Sequence, residues 1–261
     1  MLIVIGCSWT YGNEIPEHDC WNYAWPVHLG KHLNKEVVNL AQPGGSNENA
    51  LINFMTFIAN NNIPADTLAI FQTTEFTRKA GFKKSSIENP FRGKLIKPSK
   101  WVDRFNGWLS IHKGADEQKE FKNSWKTYVT IQMCPEELVH RNLMQIYKFQ
   151  MMCKALNIKH LTKPAWIHPA HKVQHIIKKH KLLDITNGID WSLVSNKLMI
   201  EHIFDTHGFI PNIDWGELEG PKPKKYKPYI GDQLFHQYHP NKDGHKLIAD
   251  CIYDELNLHR M

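Results

Sequence analysis

The chain reads as an α/β protein with a mostly parallel sheet, and three observations predict it. Leu2-Ile-Val-Ile5 is a short apolar run rich in β-branched residues that stops at Gly6, as a buried strand would. Strand-like and helix-like stretches then alternate along residues 2–72, which implies parallel strands joined by right-handed crossovers. The chain closes on a stretch in which Leu247, Ile248, Cys251, Ile252 and Leu256 share one helical face.

The elements follow in order. After strand 2–6 comes a helical stretch near 22–34, then a strand over 36–40. A helix is expected over 47–60, with Leu51, Phe54, Met55 and Ile58 as its apolar stripe. A β-rich strand spans 67–72. The pattern breaks at 79–133, a basic, aromatic and turn-rich stretch read as an irregular insertion or lid. A helix resumes at Pro135 and runs to about Leu156, with Val139, Leu143, Ile146 and Cys153 in one stripe. Ile158 to Leu161 reads as a fourth strand. Residues 168–230 are expected to form a second irregular insertion. It ends in Pro221-Lys-Pro-Lys-Lys-Tyr-Lys-Pro228, which suits neither a helix interior nor a central strand.

Two positions suggest chemistry. Ser8 lies just past the carboxyl end of the first strand, where open α/β sheets place their ligand crevice. A serine hydroxyl is a weak nucleophile without a base to take its proton. His239 is the candidate base: it precedes Pro240 and Asn241, which are helix-start residues, so it stands in the loop entering the last helix. Both residues face one crevice if the sheet is doubly wound.

At these positions the sequence resembles a family. Gly6-Cys-Ser8-Trp-Thr10-Tyr-Gly12 is similar to the first block of the SGNH, or GDSL-like, hydrolases. Asn39-Leu-Ala-Gln-Pro-Gly44-Gly45-Ser46-Asn47 resembles their second block, and His239-Pro-Asn241 with Gly244-His245 their last. Short phage-type members of the family are the nearest in feel. The resemblance implies a flavodoxin-like three-layer α/β/α fold, one domain over 1–261 interrupted by the two insertions, and a serine ester hydrolase of esterase or acetylesterase type. It implies Ser8 as nucleophile, His239 as base, and an oxyanion hole from the amides of Ser8 and Gly45 with Asn47 and Gly44. It calls for no metal and no organic cofactor. The family's acid normally stands three residues before the histidine. That position is His236 here, and the nearest upstream acid is Asp232. The third block, usually Gly-x-Asn-Asp, corresponds to the stretch Phe71-Gln-Thr-Thr-Glu-Phe-Thr-Arg78, which has no asparagine, so Asn47 or Thr74 is left to supply the missing donor.

Composition sets the bounds. The chain has 261 residues, 42% hydrophobic and 22% charged, which fits a soluble globular protein. No apolar run reaches the roughly 18–20 residues that span a bilayer. No basic leader with a cleavage site precedes the first strand, so a cytoplasmic location is expected. Cys7, Cys20, Cys134, Cys153 and Cys251 are odd in number and show no Cys-x-x-Cys spacing, which suits reduced thiols. Cys7 reads as a packed core residue. The net charge of +6 mildly favours anionic partners.

Other readings stand beside the hydrolase. Gly44 to Asn47 is also what a simple turn with a helix N-cap looks like. The spacing of His168, His171 and His175 would stack them on one helix face, but the surrounding lysines and absence of carboxylates suit a solvated face better than a metal site. Arg78 to Arg104, with Trp101, Trp108 and Trp125 in or near it, could bind single-stranded nucleic acid through charge and stacking, line a sugar or acyl pocket, or simply be a loop anchored by its tryptophans. A binding protein that kept the fold and lost efficient chemistry is the third alternative. The hydrolase reading expects a small-molecule or carbohydrate ester as partner, and leaves oligomeric state open.

Overall fold

Four strands lie side by side in one parallel sheet: β1 (Leu2–Ile5), β2 (Val37–Asn39), β3 (Leu68–Thr73) and β4 (Lys159–Pro164), in the order β2-β1-β3-β4. The computed structural model describes residues 1–13, 15, 20–74, 135–165, 177–178, 183–206, 235–236 and 239–258. Every residue of β1 and β3 is buried, as required of central parallel strands covered on both faces. Their register pairs Leu2 with Leu68 and Ile5 with Phe71, while Leu68 pairs with Lys159 and Thr73 with Pro164.

The strand order dictates where the crossovers go. The chain steps from β1 outward to β2 through α2 (Trp25–Leu33), then back across β1 to β3 through α3 (Asn47–Asn60), and on to β4 through α4 (Pro135–Ala155). With right-handed crossovers, a reversal of direction puts α2 on one face and α3 and α4 on the other. The last helix, α7 (Lys242–Leu258), packs along α2, where His32 Nε2 meets Asp250 Oδ1 at 2.7 Å. On the opposite face Phe149 of α4 sits 5.4 Å from Phe54 of α3 and 5.3 Å from Phe71 of β3, ring centre to ring centre. Burying side chains of this size contributes about 1.5–3 kcal/mol each. The result is a three-layer α/β/α sandwich of flavodoxin-like order, with a crevice expected outside the carboxyl ends where the winding reverses between β1 and β3.

Several boundaries differ from the sequence expectation. A four-residue helix, α1 (Ser8–Tyr11), follows β1 directly, too short to leave a periodic signal. The stretch near 22–34 divides into a 3₁₀ turn, Cys20–Tyr23, and α2, because Pro26 starts a helix more readily than it sits inside one. β4 runs on to Pro164, three residues past its last apolar side chain, because the longer β3 offers partners for Thr162, Lys163 and Pro164. The 168–230 insertion is not irregular throughout. It contains α5 (Leu183–Gly188), a 3₁₀ turn at Trp191–Leu193 and α6 (Met199–Thr206). Between them Val194 forms an isolated parallel bridge to Thr162, and Ser195 N–H donates to Thr162 O at 2.9 Å, at the β4 edge of the sheet. The basic aromatic insertion 79–133, the histidines at 168, 171 and 175, and the Pro221–Pro228 run lie outside the described residues.

One buried cluster crosses the layers. Lys163, fully buried on β4, donates to Ser195 Oγ at 2.6 Å and Glu255 Oε2 at 2.7 Å, with His202 Nε2 at 2.9 Å. An ammonium has three hydrogens, and three acceptors surround this one. Burial lowers the Lys163 pKa while the Glu255 carboxylate opposes that shift. Burial, reinforced by Lys163 and Lys197, holds His202 neutral, with a pKa of about 3. The cluster ties β4 to α6 and α7.

Candidate active site

The turn that carries Ser8 is built from β1 outward. Gly6 lies against Gln72 of β3, and a Cβ on Gly6 would stand 2.5 Å from Gln72 Oε1 and 2.8 Å from Thr10 Oγ1. Only glycine leaves room for the amide of Gln72. That amide accepts from Cys7 N–H at 2.9 Å and Thr10 Oγ1–H at 2.9 Å, and its Nε2 donates to Thr73 O at 2.6 Å. Held there, Cys7 stays extended and Ser8 becomes the first residue of α1. Gly12, at φ 89°, ends the helix after a single turn, its N–H donating to Ser8 O at 3.1 Å. Asn39 of β2 braces the turn from the other side through Nδ2 to Thr10 O at 2.8 Å. Cys7 is fully buried, as expected of a core residue.

His239 arrives from the other end of the chain. It sits on β6 (His239–Pro240), which pairs antiparallel with β5 (Phe235–His236) in a small hairpin. Asn241 then caps α7: its Oδ1 accepts from Gly244 N–H at 3.0 Å and its carbonyl from His245 N–H at 2.9 Å. The outcome is that His239 Nε2 lies 2.8 Å from Ser8 Oγ, across 231 residues of chain. Ser8 itself is buried to 6% exposure. For Ser8 to donate, the neutral imidazole must carry its proton on Nδ1, a tautomer assigned from this role. Hydroxyl and imidazole, from opposite ends of the chain, thus lie within hydrogen-bond distance.

His245, expected to be structural, is fully buried on α7 and accepts from Trp25 N–H through Nδ1 at 3.3 Å. It thereby satisfies an amide at the start of α2 that has no acceptor within its own helix. Burial pushes its pKa down to about 3, with neighbouring His239 and His28 adding to the shift. It remains neutral beside the dyad and adds no charge there.

The residues expected to form the oxyanion hole are brought to the same end of the sheet, but with different duties. Gln42-Pro43-Gly44-Gly45 is a turn in which Gly45 N–H donates to Gln42 O at 2.9 Å, and Gly44 at φ 67° occupies the position that demands glycine. The Gly45 amide is therefore committed to its own turn. Ser46 caps α3, its Oγ accepting from Asn49 N–H at 3.2 Å. Both amide hydrogens of Asn47 are also committed, to Asn142 Oδ1 at 2.6 Å and Thr74 O at 3.3 Å, while its Oδ1 accepts from Thr74 N–H at 2.8 Å. Asn47 is thus a brace for Thr74. Thr74 is buried just past the end of β3, and its hydroxyl has no hydrogen-bond partner among the described residues. Asp232 and the side chain of His236 lie outside the described residues. Gln72 is the site residue that sequence reasoning passed over. Its signal was a glutamine inside an otherwise apolar central strand, next to the position where a glycine has no side chain.

No protein-family model matches the chain, and no curated protein is similar to it in sequence. Solved structures do resemble it. A psychrotrophic esterase from Pseudoalteromonas sp., inhibited by monoethylphosphonate, is 11% identical over 98% of this chain and 96% of its own, with a TM-score of 0.47. A member of the lipolytic protein G-D-S-L family from Veillonella parvula is 14% identical over 98% and 97%, with a TM-score of 0.40. An acetyl xylan esterase from the rumen bacterium Butyrivibrio proteoclasticus is 14% identical over 99% of this chain and 63% of its own, with a TM-score of 0.41. Among the described residues no group of three or more His, Cys, Asp or Glu side chains could hold a metal ion, and no helix is long and apolar enough to cross a membrane.

Proposed function

We propose that this chain is a serine ester hydrolase of the SGNH type, with Ser8 and His239 as its reacting pair. The observation that carries this reading is the 2.8 Å contact between Ser8 Oγ and His239 Nε2 at the carboxyl edge of a parallel sheet. In the proposed reaction Ser8 Oγ attacks the ester carbonyl as His239 Nε2 takes its proton. The tetrahedral intermediate collapses with His239 returning that proton to the departing alcohol. Water, deprotonated by the same nitrogen, then releases the acid and restores Ser8. Asp232 remains the proposed third member, orienting His239.

The oxyanion needs donors that nothing else has claimed. The Ser8 amide, at the first position of α1, has no acceptor within its own helix. The Thr74 hydroxyl is buried and unpartnered among the described residues, at the strand end next to Ser8's. These two, with the Gly44 amide, are the proposed donors, and Asn47 holds Thr74 in place. The substrate class is an ester of a small molecule or carbohydrate.

A fluorophosphonate probe tests the reading. Stoichiometric labelling that disappears in both Ser8→Ala and His239→Ala is the expected result. Labelling that persists in folded Ser8→Ala would reject the assignment.

A further inference from the structure

We infer that Gln72 is a positioning residue for Ser8, setting which backbone amide is left to face the developing oxyanion. The inference rests on the proposed hydrolase reading and adds a residue to it. Gln72 is fully buried on β3, and all of its side-chain bonds go to the strand ends under the site. Its Oε1 takes Cys7 N–H and the Thr10 hydroxyl, both at 2.9 Å, and its Nε2 holds Thr73 O at 2.6 Å. The first two bonds span the entry and the middle of α1, with Ser8 between them. Once Cys7 N–H is occupied, the amide of Ser8 is the next along the chain.

The same side chain works on the other strand. Its bond to Thr73 O fixes the peptide that leads into Thr74, whose hydroxyl is the other proposed donor. Gln72 therefore couples the two strand ends that carry nucleophile and donor. A buried amide that makes three hydrogen bonds stays in one orientation, since turning it over would set donors against donors. The absence of a side chain at Gly6 is what lets it lie flat across both ends.

Displacing reacting groups by about 1 Å costs on the order of 100-fold in rate. Gln72→Met keeps the bulk and removes every one of these bonds. With a short p-nitrophenyl ester, kcat per fluorophosphonate-titrated site is expected to fall about 100-fold while KM stays within about threefold. Gln72→Glu supplies a second readout. As a neutral acid it reproduces the glutamine pattern, its carbonyl accepting twice and its hydroxyl donating to Thr73 O. As a carboxylate it has no donor and faces that carbonyl. Burial raises a carboxyl pKa, so the ratio of variant to wild-type kcat should climb as pH falls below neutral. A wild-type kcat in folded Gln72→Met, or a ratio independent of pH, overturns the role. Should Gln72→Met fail to fold, Gly6→Ala decides instead, because its Cβ would push the Gln72 amide aside. Folded Gly6→Ala with full kcat overturns the inference, and a loss of kcat at steady KM supports it. A wild-type chain that neither labels nor turns over esters overturns the hydrolase reading, and this role with it.

Discussion

Asn47 holds Thr74 from both sides: its Oδ1 accepts from Thr74 N–H at 2.8 Å and its Nδ2 donates to Thr74 O at 3.3 Å. The first residue of α3 is thus keyed to the residue that follows β3. A side chain the family resemblance assigns to the oxyanion acts here on the backbone of another. The hydroxyl of Thr74 is left buried without a hydrogen-bond partner among the described residues.

That arrangement predicts separable effects at the two positions. Thr74→Val keeps the shape and removes the hydroxyl, so kcat on a short acyl ester should drop by about 10²–10³, the usual cost of one oxyanion donor. Folding should be little changed, because the hydroxyl has no partner among the described residues to lose. Steady-state kinetics together with a thermal melt checks both halves. Undiminished kcat would remove Thr74 from the site.

Asn47→Leu should instead act on stability. It leaves Thr74 N–H and O buried without their partner, a cost of about 1–3 kcal/mol for each group so stranded. Urea unfolding should show a lower midpoint with an unchanged slope. A variant as stable as wild type would mean that the brace is dispensable.

The Lys163 cluster predicts a large, correctable loss. Lys163→Met leaves Glu255 buried to 14% exposure without its cation, and breaking such a pair costs about 3–5 kcal/mol. Adding Glu255→Leu should recover much of that loss. Chemical denaturation of the single and double variants provides the check, and additive losses would contradict the pairing.

Acid should loosen the fold through two histidines. His245 and His202 have folded pKa values of about 3, well below the ordinary histidine value of 6.5, because burial disfavours their charged forms. A depressed histidine pKa means the unfolded chain binds the extra proton. The stability from each histidine is therefore full above pH 6.5 and is lost as pH falls from there toward 3. Each contributes a slope of about 1.4 kcal/mol per pH unit in that window. Urea midpoints between pH 7 and pH 4.5 should fall steeply, and His245→Gln should flatten the slope. A pH-independent midpoint would show that neither histidine is buried neutral.

Much of this was legible in the sequence because it is local. Hydrophobic period and β-branched runs placed β1, β2 and β3, and the helix expected from near Asn47 to about Asn60 is α3, although Met55 of its expected stripe faces outward. The irregular reading of 168–230 missed α5 and α6, each too short to repeat its pattern. The fourth strand ended too early because Thr162, Lys163 and Pro164 do not look like a strand until β3 lies beside them.

By itself the sequence determined the alternation that makes a parallel sheet, the glycine at which the first strand stops, and a serine and a histidine of complementary chemistry. Those depend on covalent geometry and on side-chain type, which are properties of each stretch alone. Only the tertiary structure decided that His239 Nε2 reaches Ser8 Oγ, that Gly45 and Asn47 spend their donors within the protein, that Gly6 has no room for a side chain, and that Gln72 lies under the Ser8 turn. A hydrogen bond is decided by where two groups are in space, and strands 65 residues apart become neighbours only when the sheet has formed.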